Sequence, residues 1–209
     1  MSNGHVDSRT FTLTFNSDWQ VGTSTGIPGV SDRALLRDRD GLPFIPGRTL
    51  RGVLRDTHRE LAAFYPADQY PSVSNIWGSQ NGGDLSSFPG SWVISNGELK
   101  ADLRAALMEL SDIDRNLWLD EMTYISPRIA LDPNKRTREQ HLGFMEVGRK
   151  ELAFEFAISK RFGQPFEEKE LDLIGLLEIN LRRVGGIRRR GKGQVRLTQN
   201  KSAGEGATI

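Results

Sequence analysis

Leu152, Phe154, Phe156 and Ile158 alternate with small or polar residues in the segment LAFEFAIS. A period of two puts these large side chains on one face of a strand, against a core. Thr10 to Phe15 reads TFTLTF and repeats the pattern, with Phe11, Leu13 and Phe15 on one side. Two such strands, far apart in the chain, require a sheet assembled from distant segments.

From Arg48 the period changes. Leu50, Val53, Leu54, Thr57, Leu61 and Phe64 follow helical spacing and predict an amphipathic helix over 48–64. A second helix is predicted over 167–183, with Leu171, Ile174, Leu177 and Leu181 on its apolar face and a stop at Gly185-Gly186. Ala34–Arg37, Ser91–Ser95, Met122–Leu131 and Gln194–Thr198 read as extended, and Ala101–Leu110 as a short helix. Residues 16–33 and 66–90, rich in Ser, Gly and Pro, read as loops, the second long enough to be an insertion. The order strand, helix, strand, strand, helix, strand predicts an α+β fold of the ferredoxin-like, RRM-like kind with long loops. RNA-binding proteins of this topology commonly use the open face of the sheet.

With 209 residues the chain can bury one sizeable core, with a lobe attached. It has no cysteine, which excludes disulfides, thiolate metal sites and cysteine nucleophiles. No apolar run approaches the length of a membrane span, and MSNGHVDSRT lacks a signal-peptide apolar region, so a cytoplasmic protein without membrane contact is expected. A net charge of +1 names no partner, but its distribution is uneven. Arg182 to Arg196 holds seven basic residues and no acidic one. Within it, GGIRRRGKGQ (Gly185–Gln194) interleaves four glycines with four basic residues. Glycines let backbone N–H groups approach a phosphate, and arginines add bidentate bonds. The segment lacks the Gly-Lys-Ser/Thr ending of a nucleotide P-loop, and it follows a helix rather than opening one. It suits a phosphodiester backbone, a solvated loop or a free nucleotide, in that order. Arg48, Arg51, Arg55 and Arg59 form a stripe on the first helix, either a solvated face or a phosphate-binding one. The scattered His5, His58 and His141 show no metal-ligand spacing; His58 reads as structural and His141 as a surface residue. Phe144 and Met145, beside a polar, basic turn, read as core residues or as residues that stack on or wedge between bases.

Four segments together resemble the RAMP superfamily of CRISPR proteins: GLPFIPGRTLRGVLRD, IWGS, RIALDPNKRTREQHLGFMEVGRKELAFEF and VGGIRRRGKGQVRL. The likeness runs in order over roughly residues 10–198 and is nearest to the backbone subunit of type III effector complexes. It implies a single domain: a ferredoxin-like palm at about 10–65 and 150–198, insertions and an inserted thumb hairpin at about 66–149, with the thumb near Ile125–Val147, and a disordered tail at 199–209. It implies guide crRNA, target RNA and other RAMP subunits as partners. Asp32 stands six residues before Asp38, as the family's cutting aspartate stands before a second aspartate, so Asp32 is the implied catalytic residue of a metal-dependent endoribonuclease. A divalent ion, Mg2+ by family habit, is implied there without dedicated protein ligands. Arg51 and Arg55 carry over as contacts to the guide-RNA backbone. Arg48 and Thr49 take the place of the family's Ser-Ser and join them, as do Gly186, Arg188, Arg189, Arg190, Gly191, Lys192 and Gly193 of the glycine-rich loop. Arg33 follows Asp32, to hold the scissile phosphate or pair with the carboxylate. The thumb residues are Arg128, Arg136, Arg138, Phe144 and Met145. Two other roles are open: a subunit that only holds or caps the guide, or a guide-processing endoribonuclease using His58 or His141.

Overall fold

The computed structural model describes residues 7–22, 26, 29, 31–65, 70–79, 87–131, 137–186 and 190–200, and of 129–131 and 137–142 the backbone alone. The elements are β1 (Ser8–Phe15), α1 (Gly47–Ala62), α2 (Val73–Trp77), β2 (Trp92–Ile94), β3 (Glu98–Leu99), α3 (Ala101–Glu109), α4 (Asp112–Met122), β4 (Thr123–Leu131), β5 (Thr137–Gly148), β6 (Ala153–Lys160), α5 (Glu168–Asn180) and β7 (Val195–Gln199).

The two alternating segments are neighbours in one sheet. Its order is β2-β6-β1-β7, with β3 also on β6, and every pairing is antiparallel. Phe11 lies opposite Phe156, and Leu13 opposite both Phe154 and Leu197, so the apolar rows line up across the strands. The Phe11 and Phe156 rings stack with centroids 5.5 Å apart. Leu50 and Leu54 of α1 and Leu173, Ile174 and Leu177 of α5 are buried in the same core cluster. The other face carries Thr10, Thr12, Thr14, Ala153, Glu155, Ala157, Ser159, Arg196 and Thr198. Those side chains include no aromatic ring, so this sheet face offers no platform for stacking bases.

β4 and β5 form a second, two-stranded sheet, a hairpin with a register shift between Ile129 and Leu131. It occupies the expected thumb position and extends it slightly at each end. Other elements depart from the sequence expectation. α1 ends at Ala62, leaving Phe64 82% exposed instead of on the apolar face. Leu171 faces outward, and α5 stops before 183, with Leu181 as its C-cap. The expected loop at 66–90 holds α2, begun by Ser72 accepting the Asn75 N–H at 3.2 Å. α4 was not expected at all. Ser111 caps it through the Asp114 N–H at 3.2 Å, with Asp112 and Asp114 in the first turn. Its Ile113, Leu117 and Trp118 face solvent, so no inward apolar period marks it in the sequence. The expected tail keeps order at its start: Gln199 belongs to β7, and the Asn200 N–H donates to Thr10 O at 2.8 Å. Residues 201–209 lie outside the described residues. Among the described residues no helix is long and apolar enough to cross a membrane.

Candidate nucleic-acid interface

The segment 31–37 runs along the edge of β5. Arg33 bridges Met145 in parallel, the Asp32 N–H donates to Phe144 O at 2.8 Å, and the Glu146 N–H donates to Arg33 O at 2.8 Å. Asp32 also uses its side chain here: Oδ2 accepts the Phe144 N–H at 2.7 Å. Its Oδ1 has no hydrogen-bond partner among the described residues. Both Asp32 and Arg33 are exposed, and neither joins an ion pair among the described residues. Asp38 has a different fate. It takes the Asp40 and Leu42 N–H groups at 2.9 and 3.0 Å and pairs with Arg104 Nη1 at 2.6 Å. Burial works against its ionisation, but the Arg104 guanidinium and those amides outweigh it and hold the carboxyl below its ordinary value. Of two aspartates in register, one is built into the scaffold and one faces outward.

Glu146 fixes the rest of this segment. It is 3% exposed, its Oε2 accepts the Leu35 N–H at 2.8 Å, and its Oε1 accepts from Arg37 Nη2 at 2.5 Å. Arg37 Nη1 reaches on to Gly41 O at 3.1 Å. The sequence reading passed over Glu146, although an acid between Met145 and Val147 in an apolar stretch is a usable signal. A buried carboxylate requires a cationic or amide partner. Among the described residues no group of three or more His, Cys, Asp or Glu side chains could hold a metal ion. The free Asp32 oxygen fits only an ion held chiefly by water and phosphate, which is how magnesium commonly binds.

The arginine stripe of α1 is real, but its members differ. Arg48 and Arg59 are exposed, with Arg59 at 3.9 Å from Asp56. Arg51 is half-buried, and its Nη2 donates to Trp77 O at the end of α2. Arg55 is half-buried, with its Nε inaccessible to solvent and without a hydrogen bond, 3.9 Å from Asp56. Thr49 is half-buried, its N–H bound to Pro46 O at 2.8 Å. A groove of about 370 Å³ between α1 and the end of α5 is lined by Val53, Asp56, Thr57, Glu60, Asn180, Leu181, Arg182 and Arg183. It brings the first helix beside the start of the basic segment.

The glycine-rich loop is fastened at both ends. The Gly186 N–H donates to Gln20 O at 2.9 Å and the Gly193 N–H to Asp18 O at 2.7 Å. Gly193 has φ +75, and a Cβ there would stand 2.2 Å from Val184 O, so only glycine fits. Lys192 turns inward, its Nζ 2.5 Å from the Tyr124 hydroxyl, 3.4 Å from Asp18 Oδ2 and 5.0 Å from the Tyr124 ring centre. Arg149 lies over the same ring at 5.3 Å. Burial opposes ionisation of Asp18, yet the Tyr124 hydroxyl and Lys192 ammonium outweigh it and hold the carboxyl below its ordinary value. Lys192 therefore ties the loop to the hairpin, while Arg190 and Gly191 are outward. Arg188 and Arg189 lie outside the described residues.

On the hairpin, Arg128 is exposed and Phe144 is 41% exposed. Met145 is only 7% exposed, which fits the core reading and not the wedge one: it packs inward beside the Asp32 segment. Arg136 lies outside the described residues, as do the side chains of Arg138 and His141. His58 is 2% exposed and accepts the Trp77 indole N–H on Nδ1 at 2.9 Å, so it is a structural residue and no acid or base for RNA. His5 lies outside the described residues.

The structure thus joins Asp32 to the hairpin base and the glycine-rich loop to the hairpin's first strand. The same architecture occurs in known assemblies. The chain aligns with a chain of a Type III-B Cmr-beta complex bound to cognate target RNA, at TM-score 0.71 and 12% identity, over 94% of this chain and 98% of that one. The apo state of Type III-B Cmr-beta gives TM-score 0.70 at 12% identity, over 95% and 99%. A chain of a Type IV-B CRISPR complex gives 0.56 at 13% identity, over 97% and 94%. At such identities the agreement is one of fold. No curated protein matches the chain. The RAMP superfamily model matches residues 12–196, from the first strand through the glycine-rich loop, and on that match the chain belongs to the RAMP superfamily.

Proposed function

We propose that this chain is a backbone subunit of a type III CRISPR effector complex that binds guide crRNA and cuts target RNA at regular intervals. Other RAMP subunits are its neighbours in that complex, and the cytoplasm is its compartment. The palm is read as ferredoxin-like, which the order β2-β6-β1-β7, with α1 and α5 in the crossovers, supports. The observation that carries the cutting role is an outward carboxylate, Asp32, held at the hairpin base by the Phe144 N–H with one oxygen free.

The guide backbone lies against α1 and the glycine-rich loop. Arg55, whose side chain is 25% exposed, offers its guanidinium to a phosphate. Arg48 and Arg190 add exposed charge. Target RNA passes Asp32. The 2′-oxygen attacks the adjacent phosphorus, the bond to the 5′-oxygen breaks, the departing 5′-oxygen takes a proton from water, and the products are a 2′,3′-cyclic phosphate and a 5′-hydroxyl. Asp32 Oδ1 orients the 2′-hydroxyl and accepts its proton, and Arg33 steadies the charged phosphate. Asp32 would hold a hydrated divalent ion, which would supply further charge stabilisation. Phe144, exposed beside Asp32, splays the adjoining base.

A second reading has its own observation. Because Asp32 accepts the Phe144 N–H, it is also suited to staple the loop in a subunit that only holds RNA. The complex assembled with guide and annealed target separates the two. The cutting reading predicts regularly spaced products with cyclic-phosphate ends that vanish in EDTA. Intact target throughout supports the holding reading, and cutting that survives EDTA contradicts metal assistance.

A further inference from the structure

The bonds between 31–37 and β5 do more than close a loop. Two of them end on the Asp32 backbone and carboxylate, and three on Glu146, whose N–H donates to Arg33 O and whose buried oxygens serve Leu35 and Arg37. The hairpin does not need any of them, because β4 and β5 pair through their own ladder. Gly143, one residue before Phe144 on β5, supplies space. A Cβ at 143 would stand 2.8 Å from Asp32 Oδ2, closer than real contacts allow. A side chain there makes the Asp32 carboxylate shift and so changes where Oδ1 points.

We infer that Gly143 and Glu146 are positioning residues for Asp32, so that the hairpin and the carboxylate move as one body. Gly143 sets the carboxylate's orientation and Glu146 the path of the segment carrying it. The consequence is mechanical: distortion of target RNA by the hairpin and delivery of Asp32 to the distorted nucleotide are a single event. This rests on the reading of Asp32 as the group that acts on RNA.

The test uses the assembled complex with guide and target RNA and compares Gly143→Ala, Glu146→Gln and Asp32→Asn. Target affinity and the single-turnover cleavage rate constant are measured separately. Positioning predicts that Gly143→Ala lowers the rate constant at least about tenfold, as a misaligned group does, while affinity stays within about twofold. Glu146→Gln, which keeps an acceptor for Leu35 but loses the charge facing Arg37, gives a smaller drop in the same direction. Rates within about twofold of the parent for both variants, or parallel losses of rate and affinity, overturn the inference. Should Asp32→Asn cut at the parent rate, the reading beneath it fails and the inference with it. Should Asp32→Asn be inactive while the other two cut normally, the inference alone fails.

Discussion

Arg51 and Arg55 lie four residues apart on α1, and their guanidinium groups meet different surroundings. Arg51 donates to Trp77 O, the last carbonyl of α2, so it holds two elements together. Arg51→Ala should lower unfolding free energy by about 1.5–3 kcal/mol, the usual range for a hydrogen bond to a charged group, read as a shift in denaturant midpoint. Arg55 has a buried Nε without a hydrogen bond, only a 3.9 Å ion pair with the neighbouring Asp56. Arg55→Ala should leave stability nearly unchanged, weaken RNA binding irrespective of sequence and reduce the salt slope of the binding constant by about one. Equal losses of stability in the two variants would refute this division. The helical stripe that places both residues is plain in the sequence. Their difference is not, because Trp77 is distant in the chain and only packing brings its carbonyl to Arg51.

At the scale of elements, α1 and α2 are joined again through His58 and Trp77, by a 2.9 Å bond within the core. Burial holds His58 below its ordinary value of 6.5, outweighing the Pro71 carbonyl that favours protonation. The folded state therefore binds fewer protons than the unfolded one just below pH 6.5, and stability falls as pH drops through that window. His58→Gln cannot titrate, so its stability should vary less with pH there, and an unchanged slope would count against the burial. β1, β6, α1 and α5 were legible because each buries one face and keeps its period. α4 was not, since Ile113, Leu117 and Trp118 point to solvent and only its Ser111 cap and acidic first turn mark it. β5 hides its main contribution for another reason. Gly143 and Glu146 acquire meaning from residues 32–37, more than a hundred positions earlier.

For the whole molecule, the hairpin base is where separate stretches of chain converge. Asp32 is fixed to β5, and Lys192 of the glycine-rich loop reaches Tyr124 at the start of β4 and Asp18 in the segment after β1. The sequence carried both loops as motifs, and the family likeness singled out Asp32, but spacing alone could not bring either to the hairpin. Nor could it tell that Asp32 and Arg33 join no ion pair among the described residues, since adjacent opposite charges suit either outcome. The account turns on that exposed carboxylate, anchored through Oδ2 with Oδ1 free among the described residues. Its most direct test is the cleavage of annealed target RNA by the assembled complex carrying Asp32→Asn, which keeps an acceptor for the Phe144 N–H and removes the charge and the second acceptor oxygen. The account predicts unchanged target binding and loss of the regularly spaced cuts; cutting at the parent rate would contradict it.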